Sequence, residues 1–109
     1  MDIREQCDGL QRILEDKKAE DIVILHVGDR TIIADYFIIC NGRNTTHVKA
    51  LCEELKEKYA EFGLDLRRTE GYNEGRWIVM DFANILVHIF HPEERCYYNM
   101  ESLWQKNVE

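Results

Sequence analysis

Four polar side chains stand among apolar residues near the end of the chain, where a plain core would need none: Asp81, His88, Arg95 and Glu101. Asp81 closes the run Trp77-Ile78-Val79-Met80-Asp81, and His88 sits inside Leu86-Val87-His88-Ile89-Phe90. His88 and His91 are three apart on or next to a strand, so alternation sends them to opposite faces and they cannot jointly hold a metal. Gly42, Arg43, Asn44 and Thr45 precede a helix, and a helix N-terminus attracts anions. Together with Asp81 this turn suggests a nucleotidyltransferase site. Such enzymes also need paired carboxylates for a divalent metal, and the chain has no Asp-x-Asp pair. A turn and a helix cap are the simpler reading. No cysteine or serine lies in a nucleophile signature. The expectation is therefore no enzyme, no cofactor and no metal.

The same stretch is dense in aromatics. Both tryptophans, Trp77 and Trp104, fall here together with Tyr98. Trp, Tyr and Arg dominate binding energy at protein interfaces. Two readings compete: a partly uncovered docking surface, or rings that close the open side of a sheet.

The elements that must position these groups follow from periodicity. Ile3, Cys7, Leu10 and Leu14 make one apolar stripe, which predicts a helix over 3–17. Ile22-Val23-Ile24-Leu25 predicts a strand over 21–27. Gly28 to Thr31 reads as a turn, and a second strand is expected over 32–40; so short a connection makes the two antiparallel neighbours. Gly42 allows a sharp turn, any of Asn44, Thr45 and Thr46 can cap, and a second helix runs to about Phe62 with Gly63 as its stop. Its apolar face is Val48, Leu51, Cys52, Leu55, Tyr59 and Phe62. Residues 64–69 alternate weakly and suit an edge strand. Residues 70–75 form a loop, and 77–81 and 85–90 are strands joined tightly. If Ala83-Asn84 is a two-residue turn, Val79 lies opposite His88, and Trp77, Val79 and Asp81 share a face with Leu86, His88 and Phe90. A three-residue turn moves His88 to the other face. Pro92 ends the last strand, and 93–106 carry short helical turns.

The order is α-β-β-α-β-β-β-α: a compact α/β fold with a mixed sheet of about five strands and helices packed on it. At 109 residues the whole chain, 1–109, is expected to be one domain. The net charge of −7 argues against broad binding to nucleic acid, while favouring approach to a basic protein. Cys7, Cys40 and Cys52 read as buried free thiols, and the four cysteines contain no Cys-x-x-Cys pair. No run is long and apolar enough to span a bilayer, and the first residues lack the apolar region of a signal peptide, so a cytoplasmic location is expected.

In their order and spacing, several motifs resemble the ribosomal silencing factor, or Iojap, family. They are Asp35-Tyr36-Phe37, Gly42-Arg43-Asn44-Thr45, Glu70-Gly71, Trp77-Ile78-Val79-Met80-Asp81, Leu86-Val87-His88-Ile89-Phe90, Arg95-Cys96-Tyr97-Tyr98 and Met100-Glu101-Ser102-Leu103-Trp104. The resemblance covers about 21–104. Thr45 stands where the family often has serine, Met100 replaces a leucine, and Ala83-Asn84 replaces a common Gly-Asp turn. The resemblance implies a nucleotidyltransferase-like fold without enzymatic activity. It implies a translation repressor that binds ribosomal protein uL14 of the large subunit, obstructs joining of the small subunit and lowers protein synthesis when nutrients are scarce. It marks Trp77, Asp81, His88, Tyr98 and Leu103 as candidates for the uL14-facing surface. Arg95 and Glu101 either bind there or brace it, and Glu70-Gly71 shapes its loop. A homodimer formed through the first helix or an exposed strand is a further alternative.

Overall fold

The computed structural model describes residues 1–99. Met100, Glu101, Leu103 and Trp104 therefore lie outside the described residues. Helix α1 is Ile3–Asp16, strand β1 Glu20–His26, β2 Tyr36–Asn41, helix α2 Thr45–Lys58, β3 Arg68–Glu70, β4 Trp77–Asp81, β5 Ile85–Phe90 and helix α3 Pro92–Tyr98. A 3-10 turn, Tyr59–Phe62, extends α2. The expected element order is the observed one.

The strands form one mixed sheet ordered β1-β2-β5-β4-β3. Among the described residues only β2 and β5 run parallel; the other three pairings are antiparallel. A parallel pair cannot be closed by a hairpin, and here the chain leaves β2 through α2 and returns by way of β3 and β4.

Each helix begins on a side-chain cap. Asp2 and Glu5 form a reciprocal capping box on α1. Asn44 caps α2 by accepting from the His47 amide at 2.8 Å. His91 Nδ1 accepts from the Glu93 amide at the start of α3, and Pro92 follows at the position where a missing N–H costs nothing. The 3-10 turn stops at Gly63, whose φ is +71°.

Cys7, Leu10 and Leu14 of α1 and Val48, Leu51, Cys52 and Leu55 of α2 pack on Ile38, Cys40, Ile78, Met80, Val87 and Ile89. This is the main core, on one side of the sheet. The other side carries a thinner cluster of Leu25, Val27, Ala34, Phe37, Ile39 and Phe90, edged by the partly buried Val23, Trp77 and Leu86. The two sides take alternate residues of each strand, as the pleat requires.

Two expectations need correction. The second strand starts at Tyr36, not Ile32. Val27 and Asp35 close a wide loop, with the Val27 and Gly28 amides both donating to the Asp35 carbonyl. Inside it the Ile33 amide donates to Thr31 Oγ1. Ile32 is left 103% exposed and Ile33 65%. Their apolar type imitates a strand, but local turn bonding holds them out. The edge strand is also shorter than expected: only Arg68–Glu70 pairs, against Val79–Asp81, while Leu64 turns into the main core.

Candidate docking surface

Trp77 opens β4 and faces Phe90 across the β4–β5 pairing; Val79 faces His88 and Asp81 faces Leu86. This is the register of the two-residue turn, and it puts His88 on the same side as Trp77. The turn is tight. The Phe82 amide donates to the Ile85 carbonyl, and the Asn84 amide reaches back to the Phe82 carbonyl at 3.0 Å. That i to i+2 bond is a γ-turn, with Ala83 at a φ of +74°.

Trp77 is held from several sides and left open on another. Its ring stacks on Phe90, centroids 5.0 Å apart at 26°. Its indole N–H donates to His88 Nδ1 at 3.1 Å. Tyr98 of α3 lies 4.7 Å from it, and Tyr97 meets Tyr98 edge-on. Trp77 remains partly exposed, Tyr98 is 47% exposed and Tyr97 81%. A large ring fixed by packing but incompletely covered loses little entropy on binding and gains from being covered.

His88 does not reach the surface. It is only 5% exposed, edge-on to Phe37 at 4.9 Å. Because Nδ1 accepts the indole proton, the ring's own proton must sit on Nε2. That nitrogen is buried and has no hydrogen-bond partner among the described residues. Burial pushes the imidazole down to about 4, so it is neutral at physiological pH. His88 was expected among the partner-facing residues; its position makes it the post that orients Trp77.

Asp81 lies at the far end of the same face and stays partly exposed. Its Oδ1 accepts from the Ala83 amide at 2.8 Å, which stabilises the γ-turn. Arg95 braces: its guanidinium donates to Asn41 Oδ1 at 2.9 Å, and Asn41 in turn donates to Glu20. This fastens α3 to the ends of β2 and β1. Glu101 and Leu103 lie outside the described residues.

The Glu70-Gly71 pair has a steric reason. Gly71 has a φ of +86°, and a Cβ there would fall 2.1 Å from the Trp77 carbonyl oxygen. Only glycine lets the loop pass so close to Trp77.

Arg76 was not singled out from the sequence. It donates to Glu94 at 2.7 and 3.0 Å and to Glu93 at 2.9 Å, and its carbonyl accepts from the His91 amide. This ties α3 to the start of β4, so Arg76 and Arg95 together set where Tyr98 stands. The signal was present: an arginine beside Trp77 and two glutamates in the first turn of a helix. Their pairing spans a strand and a turn, which spacing alone does not reveal. The sequence pattern does not mark His47 either. Its ring accepts from the Arg43 amide and donates to the Lys17 carbonyl, joining the α2 cap to the end of α1.

The two halves of the nucleotidyltransferase reading do not meet. Gly42 follows Asn41, which pairs with Phe90, whereas Asp81 pairs with Leu86. The paired residues Leu86 and Phe90 are four steps apart along β5, roughly 13 Å. Gly42 is instead a point of close packing, where a Cβ would lie 2.9 Å from the Val48 amide nitrogen. Among the described residues no group of three or more His, Cys, Asp or Glu is placed to hold a metal.

The family profile described as "Ribosomal silencing factor during starvation" matches residues 1–109. The chain belongs to that family. It is 44% identical over 91 residues to the ribosomal silencing factor RsfS of Halalkalibacterium halodurans, covering 84% of this chain and 78% of the relative. Identity to the RsfS of Bacillus subtilis is 42% over 90 residues, covering 83% and 76%. A crystal structure of a Chromobacterium violaceum protein superposes with a TM-score of 0.91 at 34% identity, covering 95% of this chain and 87% of that one. Membership of the ribosomal silencing factor family gives the general role, regulation of translation at the ribosome. Among the described residues no helix is long and apolar enough to cross a membrane.

Proposed function

We propose that this chain is a translation repressor that docks on ribosomal protein uL14 of the large subunit and sterically blocks joining of the small subunit, lowering synthesis under nutrient limitation. The observation that carries this reading is the anchored but incompletely covered Trp77, with the exposed Tyr98 beside it. An indole stacked on Phe90 and tethered to His88 is pre-oriented for a partner. Tyr98 adds a second ring on a helix held through Glu94 and Arg95. Asp81 extends the face, and Glu101 and Leu103 join it by family resemblance alone. The silencing itself needs no chemical step. A cytoplasmic location and little direct contact with nucleic acid belong to the same reading. The charge of −7 steers the chain toward a basic protein and away from bare phosphate backbones.

The test is subunit joining followed by light scattering. Wild-type protein added to large subunits is expected to suppress the rise in scattering when small subunits are added. The Trp77→Ala, Tyr98→Ala double variant is expected to restore it. Equal suppression by both proteins would defeat the proposal.

A further inference from the structure

Ile32 and Ile33 are the least explained apolar residues of the fold. Adjacent isoleucines held at 103% and 65% exposure keep apolar area in water that a monomer gains nothing from leaving there. They sit on the loop between β1 and β2, on the thin side of the sheet where Val27 and Ala34 join the second core cluster.

Ile33 also forms one wall of a groove. Its floor is Val79 and Leu86, and its rim carries Asp81, Glu70 and Arg68. The groove measures about 130 Å³. That is below the size of small-molecule and cofactor sites, which start near about 300 Å³, and it suits a single side chain. The rim holds two carboxylates against one guanidinium. Asp81 uses Oδ1 for the Ala83 amide and keeps Oδ2 unengaged among the described residues. The Arg68–Glu70 pair is 3.4 Å apart with both side chains mostly in solvent, and such a pair yields readily to a competing cation. An apolar floor below a net acidic rim matches a side chain with a methylene stem and a cationic head.

The groove is continuous with the docking face. Asp81 and Leu86 lie on the same side of the β4–β5 hairpin as Trp77 and Phe90, roughly 13 Å along the strands. The Trp77–Tyr98 patch alone is one end of a surface. A specific interface generally covers about 800 Å² on each partner.

We infer that the groove between the Ile32–Ile33 loop and the end of β4 is a second anchor point of the docking surface, taking a lysine or arginine side chain of the basic partner while Ile32 packs beside it. This rests on the proposed function, since the partner is the one that covers Trp77.

The test titrates purified uL14 against wild type, Trp77→Ala, the double variant Ile32→Ser, Ile33→Ser, and Asp81→Asn, each at low and high salt. Asparagine keeps the bond to the Ala83 amide, and serine at two exposed positions leaves the core untouched; melting curves matching wild type verify both. The isoleucine variant is expected to bind about tenfold more weakly or worse at both salt levels. Asp81→Asn is expected to bind about tenfold more weakly at low salt and to show a flatter salt dependence. If Trp77→Ala loses binding while both groove variants bind as wild type does, the groove inference is overturned and the docking reading stands. If Trp77→Ala also binds as wild type does, the docking reading fails and the groove's role with it. If the isoleucine variant leaves uL14 affinity intact but turns a sedimenting dimer into a monomer, the loop serves self-association and the inference is overturned.

Discussion

Replacing His88 with glutamine separates the post that holds Trp77 from its titration. Burial lowers the native imidazole to about 4, against 6.5 ordinarily. Between those values the unfolded chain binds a proton that the native one refuses, so stability falls as pH drops. At about 1.4 kcal/mol per pH unit, the full loss is about 3.5 kcal/mol, of which about 3 is reached by pH 4. About 2 kcal/mol of it is already lost between pH 7 and pH 5. Glutamine can accept the Trp77 indole N–H through Oε1 and does not titrate in this window. Carboxylates elsewhere titrate alike in both proteins and cancel in the comparison. Urea unfolding of wild type and His88→Gln near pH 7 and near pH 5 measures the difference. The wild type is expected to lose about 2 kcal/mol more than the variant over this interval. Equal losses would show that His88 is not a buried neutral base.

Three further outcomes follow from single positions. Ala83→Gly relieves an L-residue at a φ of +74°, a cost of about 1–2 kcal/mol; after the added freedom of the unfolded chain the net gain is roughly 0.5–1 kcal/mol, seen as a higher urea midpoint with unchanged slope. Gly71→Ala combines a φ of +86° with a Cβ 2.1 Å from the Trp77 carbonyl oxygen; unfolding is expected to show a loss of about 2 kcal/mol or more, with Trp77 fluorescence shifted in the folded variant. Native protein treated with a thiol reagent should react first at the exposed Cys96. Cys7 and Cys40 are buried, with thiols pushed up to about 11 and about 12 by desolvation, and should react only on unfolding.

The sequence made the β4–β5 hairpin legible because two apolar runs flank a gap that admits few turns. Both strands begin and end where periodicity placed them, and the two-residue turn put His88 beside Trp77. The helices were equally readable from their stripes and caps. Ile32 and Ile33 misled because apolar type signals burial, whereas the Thr31 side chain and the Val27–Asp35 closure hold them in solvent. His88 was placed on the correct side of the sheet, yet alternation does not tell a covered position from an open one; Phe37, from a neighbouring strand, packs against it. The Arg76 clamp was unreadable because its partners, Glu93 and Glu94, approach only after β5 has crossed back along β4.

On the proposed function, Trp77 and Tyr98 are left partly uncovered because a partner completes their packing. Calorimetric titration of purified uL14 with the wild-type chain and with the Trp77→Ala, Tyr98→Ala double variant tests it most directly. A loss of roughly 2 kcal/mol or more, about thirtyfold in affinity, is the predicted result, with the variant still folded by circular dichroism. A folded double variant that binds uL14 as tightly as wild type would mean that neither ring is covered by that partner.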